Sequence, residues 1–444
     1  MLRTPGGPGR RRLPTIMTGG EEAAPLRRTG SAQRATFLEL FFDLVYVFAL
    51  TRISFRAFED LALEPGGTTG WSPVTGGVKT LLLLLLALWA VWQGTAWTTS
   101  RYDPHHGWLQ FVVITALIGS MVMGVAIPHA FTSTGLAFAV AYVVTQVSRP
   151  GLLLLALGSH EYRRLKLRML VTFGATGVLW LTGAFLSPTP RGLLWALALV
   201  VEYLAARFGW PVPGLGRSRA SRWDVAGEHL AERYQQFFLV ALGETILVGG
   251  LAYSTGPFDP ARTGAFAVAL VTSVLLWRIY VQRAGQVLAE AVVRSRHPSD
   301  TGRSAADTHL AMVVGLVGTA IGYELTIEHP FTSPEAAWVV LVVGGPVLFL
   351  LARARFEYEV FGRVSPSRWL AAVLLVVLFP LLLHVVPLVS ATVAALVLGG
   401  VAAADARRAR GRPPGTPRPT PVTTPPHPPR RVGLTPVIKK FASR

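Results

Sequence analysis

Residues 39–51 read ELFFDLVYVFALT, so two carboxylates, those of Glu39 and Asp43, lie inside the first long apolar run of the chain. On an α-helix, where successive residues turn by about 100°, Glu39, Asp43 and Tyr46 fall on one face, while phenylalanine and leucine side chains cover the rest. The stretch therefore predicts a helix with one polar stripe and an otherwise apolar surface that can face lipid.

The two carboxylates of this stretch have different explanations. Thr36 and Glu39 have the spacing of a capping box, in which both side chains accept hydrogen bonds from free amides at the start of a helix. Asp43 lies one turn further, about 6 Å deeper, where capping no longer explains a charge. For Asp43 a buried structural pair and a functional site are both open, since carboxylates inside a membrane are functional candidates by default.

The composition is that of a membrane protein. The 444 residues are 51% hydrophobic and only 15% charged, and the mean hydropathy is +0.45, which is too apolar for an ordinary soluble protein. The absence of cysteine excludes disulfides and thiolate metal ligands. No cofactor and no metal are predicted, and a lipid bilayer is the expected partner.

Twelve apolar segments are long enough, at about 17 to 25 residues, to cross a bilayer as helices. The net charge of +18 does not indicate a nucleic-acid partner, because the basic residues follow the alternation that the positive-inside rule expects of membrane loops. Most of the 42 lysines and arginines then lie on the cytoplasmic side, which predicts cytoplasmic N- and C-termini. The predicted spans are residues 37–55, 78–98, 108–127, 135–157, 168–186, 191–207, 232–252, 262–282, 307–327, 335–352, 367–386 and 388–404.

A short motif occurs once in each half of the chain. Residues 127–133 read IPHAFTS and residues 327–333 read IEHPFTS, and each follows the third predicted helix of its half. An even number of spans in each half makes the halves parallel, related by an axis along the membrane normal. The predicted organisation is two six-helix repeats, 37–207 and 232–404, joined by a cytoplasmic connector, 208–231.

Both ends of the chain are basic and lack apolar periodicity. Residues 1–36 contain neither the apolar core nor the cleavage site of a signal peptide, so the first helix is expected to act as an uncleaved signal anchor. Residues 405–444 are rich in proline and arginine, and both tails are predicted to be disordered. Their arginines suit contact with anionic lipid headgroups, although a merely solvated tail explains them as well.

Several charges lie within or beside the predicted spans. Glu244 lies about 18 Å of helix beyond Glu232, so it is not an end-of-helix charge, and Arg233 is about 16 Å from it. A functional carboxylate and a static ion pair with another helix are both open for Glu244. Arg149, in the fourth span, requires a carboxylate partner, and its depth predicts that this partner is Asp43.

Other polar residues are assigned to structure rather than to a site. Glu202 and Glu324, in or near predicted spans, are interpreted as helix-packing groups. His129 and His329 lack the spacing of a zinc site and are interpreted as parts of two symmetric external turns.

Four stretches carry a resemblance to a known family. Residues 37–49 (FLELFFDLVYVFA), 127–131 (IPHAF), 232–234 (ERY) and 242–246 (LGETI) occur in this order, and the chain from about 34 to 404 resembles the bacterial low temperature requirement protein A family. The resemblance implies a polytopic bacterial membrane protein in a family named for a growth phenotype, and it brings no settled biochemical activity with it.

The functional hypothesis is a proton-coupled transporter of an ion or small polar solute in the bacterial plasma (inner) membrane. One alternative is a structural or sensory membrane protein needed for growth in the cold. Another is a membrane-embedded enzyme, although the chain contains no P-loop, HExxH or GxSxG motif. The candidate residues of a substrate or proton pathway are Glu244, Asp43, Glu39, Arg149, Glu232 and Arg233.

Overall fold

A computed structural model describes residues 34–62, 72–157, 162–218, 227–282, 298–333 and 335–410, and within these ranges the chain forms twelve α-helices. A short 3₁₀ turn, Ile127–His129, follows the third helix. The helices are α1 Phe37–Ala62, α2 Ser72–Thr99, α3 Gly107–Ala126, α4 Gly135–Ala156, α5 Arg163–Ala184, α6 Pro188–Arg207, α7 Gly227–Ser254, α8 Pro260–Tyr280, α9 Pro298–Glu328, α10 Ala336–Phe361, α11 Pro366–Leu382 and α12 Pro387–Ala409.

The helices have the length and surface of membrane spans. Among the described residues, ten helices are long and apolar enough to cross a bilayer, and α11 is a shorter apolar helix. The remaining helix, α1, has spanning length but carries Glu39, Asp43 and Arg52. Large apolar side chains point outward, including those of Leu370 and Val377, which are both 69% exposed. The predicted all-helical membrane architecture is confirmed, and the protein is an integral membrane protein with many spans.

Contacts between helix ends define two faces of the bundle. Trp97, near the end of α2, donates a hydrogen bond of 2.9 Å to the Tyr234 hydroxyl near the start of α7. At the other end, Arg262 near the start of α8 donates to the Ile327 carbonyl near the end of α9. We call the end that contains the start of α1 face 1, and the opposite end face 2.

The packing of the first six helices recurs in the last six. In the first half α1 packs on α2 and α3, and α2 packs on α6, while α3, α4, α5 and α6 pack in succession. In the second half α7 packs on α8 and α9, and α8 packs on α12, while α9 to α12 pack in succession. The two similar turns also share a bond, because Thr132 and Thr332 each donate from the hydroxyl to the carbonyl of the histidine three residues earlier. These observations favour the predicted pair of repeats.

The helix at the centre of the bundle is α9, which packs on α1, α7, α8, α10 and α12. Its closest neighbour is α10, because glycines bring the two backbones together, as small residues do between membrane helices. A Cβ atom at Gly322 would lie 2.8 Å from the Val342 amide nitrogen, and one at Gly315 would lie 2.8 Å from the Gly345 carbonyl oxygen.

Several helix boundaries differ from the predicted spans. Helix α9 begins at Pro298 and not near 307, and α10 continues to Phe361 beyond the predicted 352. Helix α7 begins at Gly227, inside the predicted connector 208–231, and α12 continues to Ala409, inside the predicted tail 405–444. Residues 1–33, 219–226 and 411–444 of the predicted tails and connector lie outside the described residues.

The extensions of α10 and α12 have a common physical reason, which is that their polar residues are buried and bonded. Arg353 near the end of α10 is buried and donates to the Ile279 carbonyl. Asp405 near the end of α12 accepts a hydrogen bond of 2.9 Å from Arg368 at the start of α11. Hydropathy places a span boundary where charges begin, whereas bonding between helices lets the helix continue past that point.

Candidate functional site

Glu39, the first carboxylate of residues 39–51, caps the N-terminus of α1. The amide of Thr36 donates to Glu39 Oε2 at 2.8 Å, and the amide of Glu39 donates to the Thr36 hydroxyl at 3.3 Å. The predicted capping box is therefore present. Glu39 also lies 3.3 Å from His229 Nε2 at the start of α7, and His229 Nδ1 lies 2.8 Å from the Ser100 hydroxyl. Glu39 consequently connects α1 to α7 and, through His229, to the end of α2.

The second carboxylate, Asp43, forms a complete buried ion pair with Arg233. The two terminal nitrogens of Arg233 each lie 2.7 Å from an oxygen of Asp43, and Trp92 Nε1 donates to Asp43 Oδ1 at 2.8 Å. Both side chains are almost fully buried. A bidentate guanidinium–carboxylate pair is the strongest geometry for such a contact. Both oxygens of Asp43 are therefore bonded.

The predicted pairing of Asp43 with Arg149 is wrong. Helix α1 packs along α7, which places Asp43 opposite Arg233. Arg149 on α4 reaches α2 and its own helix instead, since it donates to the Val91 carbonyl at 3.4 Å and to Gln146 Oε1 at 2.6 Å. Its guanidinium lies against Gly94, where a Cβ atom would be 2.1 Å from Arg149.

Glu232 takes part in the same contact between α1 and α7, near face 1. Its two oxygens accept hydrogen bonds of 3.2 Å from the Ala35 amide and from Gln236 Nε2. Of the predicted site residues, the structure thus brings Glu39, Asp43, Glu232 and Arg233 together along α1 and α7. It places Arg149 and Glu244 elsewhere.

Glu244 is fully buried and has an incomplete set of partners. Thr51 donates to Glu244 Oε2 at 2.7 Å, whereas Glu244 Oε1 has no hydrogen-bond partner among the described residues. The Thr51 hydroxyl has one hydrogen but two acceptors within reach, Glu244 Oε2 and the Val47 carbonyl at 2.8 Å. A protonated Glu244 resolves this conflict, because its own hydrogen can then bond to the Thr51 oxygen.

A second buried carboxylate, Glu324 on α9, belongs to the same region. Glu324 is 2% exposed, and within the described residues its Oε2 atom has no partner. The helix of Glu324, α9, packs along α7, and a Cβ atom at Gly249, five residues after Glu244, would lie 3.7 Å from the Ile327 side chain, three residues after Glu324. Glu324 is predicted from the sequence to be a helix-packing group, although a carboxylate inside the ninth predicted span is a signal of the same kind as Glu244.

No set of three or more histidine and carboxylate side chains that suits a metal ion occurs in the part of the chain that the structure describes. The backbone carbonyl oxygens of His129 and His329 each accept a hydrogen bond from a threonine hydroxyl in the same turn. The ring of His329 stacks on Trp338.

Comparison with known proteins gives one family and one curated relative. The family model described as "Bacterial low temperature requirement A protein" matches residues 34–403. An uncharacterized protein of Rhizobium meliloti is 34% identical over 350 residues, which cover 77% of this chain and 81% of the relative. No solved structure matches the chain.

Proposed function

The chain belongs to the bacterial low temperature requirement A protein family, and we propose that it is a proton-coupled transporter of an ion or small polar solute. We place it in the bacterial inner membrane, with both termini and face 1 on the cytoplasmic side. The positive-inside distribution of its basic residues supports this orientation.

The observation that carries the proposal is the pair of incompletely bonded carboxylates, Glu244 and Glu324. Each has one oxygen without a partner, and neither forms a salt bridge within the described residues. Two ionised carboxylates on packed helices inside a membrane are costly, so in this proposal at least one of them holds a proton. Release of this proton requires a conformation in which water or a cation reaches the site. Proton release is thereby coupled to a conformational change.

The arrangement of helices supplies a way to make that change. Transporters built from repeats move one bundle of helices against another around a central site. Here α9 carries Glu324 and packs against α7, which carries Glu244, and against α1, which carries Thr51. Movement of these helices relative to one another changes the surroundings of both carboxylates.

The other predicted residues take different roles in this proposal. Asp43 and Arg233 neutralise each other and hold α1 to α7, and the contact between Glu39 and His229 joins the same two helices. These contacts keep the two halves joined near face 1 and do not exchange protons with solvent. Glu244, with Glu324, is the proton site.

Transport by the purified full-length protein in proteoliposomes tests the proposal. A pH-sensitive dye in the lumen reports proton movement when a panel of inorganic ions and small polar solutes is added outside. The variant Glu244→Gln keeps shape and hydrogen bonding but cannot carry a proton, so we expect normal folding with loss of coupled flux. The matched control is Glu228→Gln, since Glu228 is exposed on the same helix.

Two results contradict the proposal. Flux with the pH dependence of the wild type in well-folded Glu244→Gln protein removes Glu244 from the proton pathway. Absence of flux for every ion and solute tested with the wild type rejects transport and favours the sensory or structural alternative.

A further inference from the structure

A cavity of about 140 Å³ lies between α2, α4, α5 and α6, next to the start of α9. Among the described residues, four basic side chains line it, from just after the end of α2, from α4, from α5 and from the start of α9, together with a single carboxylate. The basic residues are Arg101, Arg149, Lys166 and Arg303, and the carboxylate is Glu202. This excess of positive charge stands apart from the carboxylates of the proposed proton site.

Lys166 is the most informative of these residues. It is 5% exposed, and its ammonium group has neither a hydrogen bond nor a carboxylate partner among the residues that the structure describes. Its contact is with the ring of Tyr102, 5.4 Å from Nζ to the ring centroid. Arg101 and Arg149 line the same cavity, and their positive charges repel an ammonium at this position. A buried lysine in such surroundings keeps its charge only beside an anion and otherwise loses its proton.

Arg149 presents a second incompletely bonded cation to the cavity. It is 3% exposed, and its Nε atom has no hydrogen-bond partner in the described part of the chain. The guanidinium donates a hydrogen bond to Gln146, and the absence of a side chain at Gly94 leaves the space that it occupies. A guanidinium fixed in this way is preorganised to bind the planar edge of a carboxylate or two oxygens of a phosphate.

Glu202 does not neutralise this charge. Its carboxylate accepts a short hydrogen bond from the Tyr142 hydroxyl and one of 3.4 Å from Trp180 Nε1. These two donors hold it on the α4 and α5 side of the cavity. One carboxylate held in this way leaves Lys166 without a counter-charge among the residues that the structure describes.

We propose that this cavity binds a small oxyanion, a carboxylate or phosphate group, held by Lys166 and Arg149 and attracted by the arginines at its rim. The inference rests on the proposed function in that the oxyanion is the substrate of the transporter. Trp97 and Phe173 also line the cavity, so an oxyanion with a small apolar part fits it better than a fully hydrated ion. A phospholipid headgroup has the same chemistry, and the experiment separates the two sources.

Thermal unfolding of the purified full-length protein in phosphatidylcholine nanodiscs tests the site. The probes are sodium phosphate, sodium acetate and sodium succinate, with ionic strength held constant by sodium chloride. We expect a saturable rise of the melting temperature with at least one probe. In Lys166→Gln and Arg149→Gln the apparent affinity for that probe should fall by about tenfold or more, because each removes a charge-assisted contact. The matched control is Arg278→Gln, since Arg278 is exposed on α8 and does not line the cavity.

The lysine variant also separates binding from a structural role. Without any added anion, Lys166→Gln should melt at the temperature of the wild type or above it, because the substitution removes a repelled charge. Weaker anion binding with unchanged or higher stability supports a binding lysine. A large loss of stability without anion overturns this assignment.

A second set of nanodiscs that contain phosphatidylglycerol identifies the source of the oxyanion. Stabilisation by phosphatidylglycerol alone, lost in Lys166→Gln, assigns the cavity to a lipid headgroup. No saturable response to any probe or lipid, or the same response in every variant, overturns the proposal.

The proton site is tested separately. Glu244→Gln should keep the anion response, since Glu244 does not line the cavity. If anion binding fails while flux that depends on Glu244 persists, only the oxyanion inference falls. If anion binding holds while the wild type shows no flux, only the transporter proposal falls.

Discussion

Asp43 on α1 and Arg233 on α7 form a bidentate ion pair and are 190 residues apart in the sequence. Glu39 and His229, which are also in contact, have the same separation of 190 residues. Two contacts one helical turn apart with one offset show that α1 and α7 run parallel and in register. The first helices of two parallel repeats run in the same direction. Both contacts join the first helices of the two proposed repeats near face 1.

Removing one partner of the Asp43–Arg233 pair should cost about 3 to 5 kcal/mol of stability, because it leaves a buried charge unpaired. Asp43→Asn and Arg233→Gln should each lower the melting temperature in nanodiscs. The double variant should recover part of the loss, since no lone charge remains. The control is Asp43→Asn with Arg149→Gln, for which we expect additive losses. Recovery in the control, and not in the double variant, would contradict the assigned pair.

The glycines of α9 allow a matched test of its packing on α10. A Cβ atom at Gly322 would meet the backbone of Val342 at 2.8 Å, whereas one at Gly318 meets its nearest atom at 3.7 Å. Gly322→Ala should destabilise the protein by about 1 to 3 kcal/mol, because two backbones must move apart. Gly318→Ala, one turn away on the same helix, should have little effect. Equal melting temperatures for the two variants would show that α9 and α10 are not in the described contact.

Arg191 should be irreplaceable by lysine. Its five N–H groups donate to the carbonyls of Ala130, Thr132, Gly183, Ala184 and Leu186, which belong to two turns at face 2. An ammonium has three donors and lacks the planar geometry. Arg191→Lys should therefore lower the free energy of unfolding by at least about 2 kcal/mol. Arg278→Lys, at an exposed arginine, serves as the control, and a similar loss in both variants would argue against the five-bond role.

Cysteine labelling of intact cells tests the orientation. The chain contains no cysteine, so a single introduced thiol is the sole target of a membrane-impermeant maleimide. Ser133→Cys and Ser333→Cys, in the two similar turns at face 2, should react without permeabilisation. Ser218→Cys, after α6 at face 1, should react only after the membrane is opened. The reverse pattern would place face 1 outside.

The sequence by itself determined the helices and their environment. Runs of apolar residues of spanning length produced a helix at each of the twelve predicted positions. The capping box of Thr36 and Glu39 also follows from local spacing. These features depend on residues close together in the chain, because hydrogen bonds within a helix and transfer into lipid are both local. The family resemblance is of the same kind, since it rests on short contiguous motifs.

Only the tertiary structure decided which buried charges meet. Asp43 has Arg233 and not Arg149 as its partner, the helices of Glu244 and Glu324 pack on each other, and Lys166 shares a cavity with Arg149. In a helical bundle, depth along the membrane normal is readable from the position in a span, but the choice of neighbouring helices is not. That choice depends on the packing of side chains far apart in sequence, such as the glycines of α9 against α10, and no single segment contains the information.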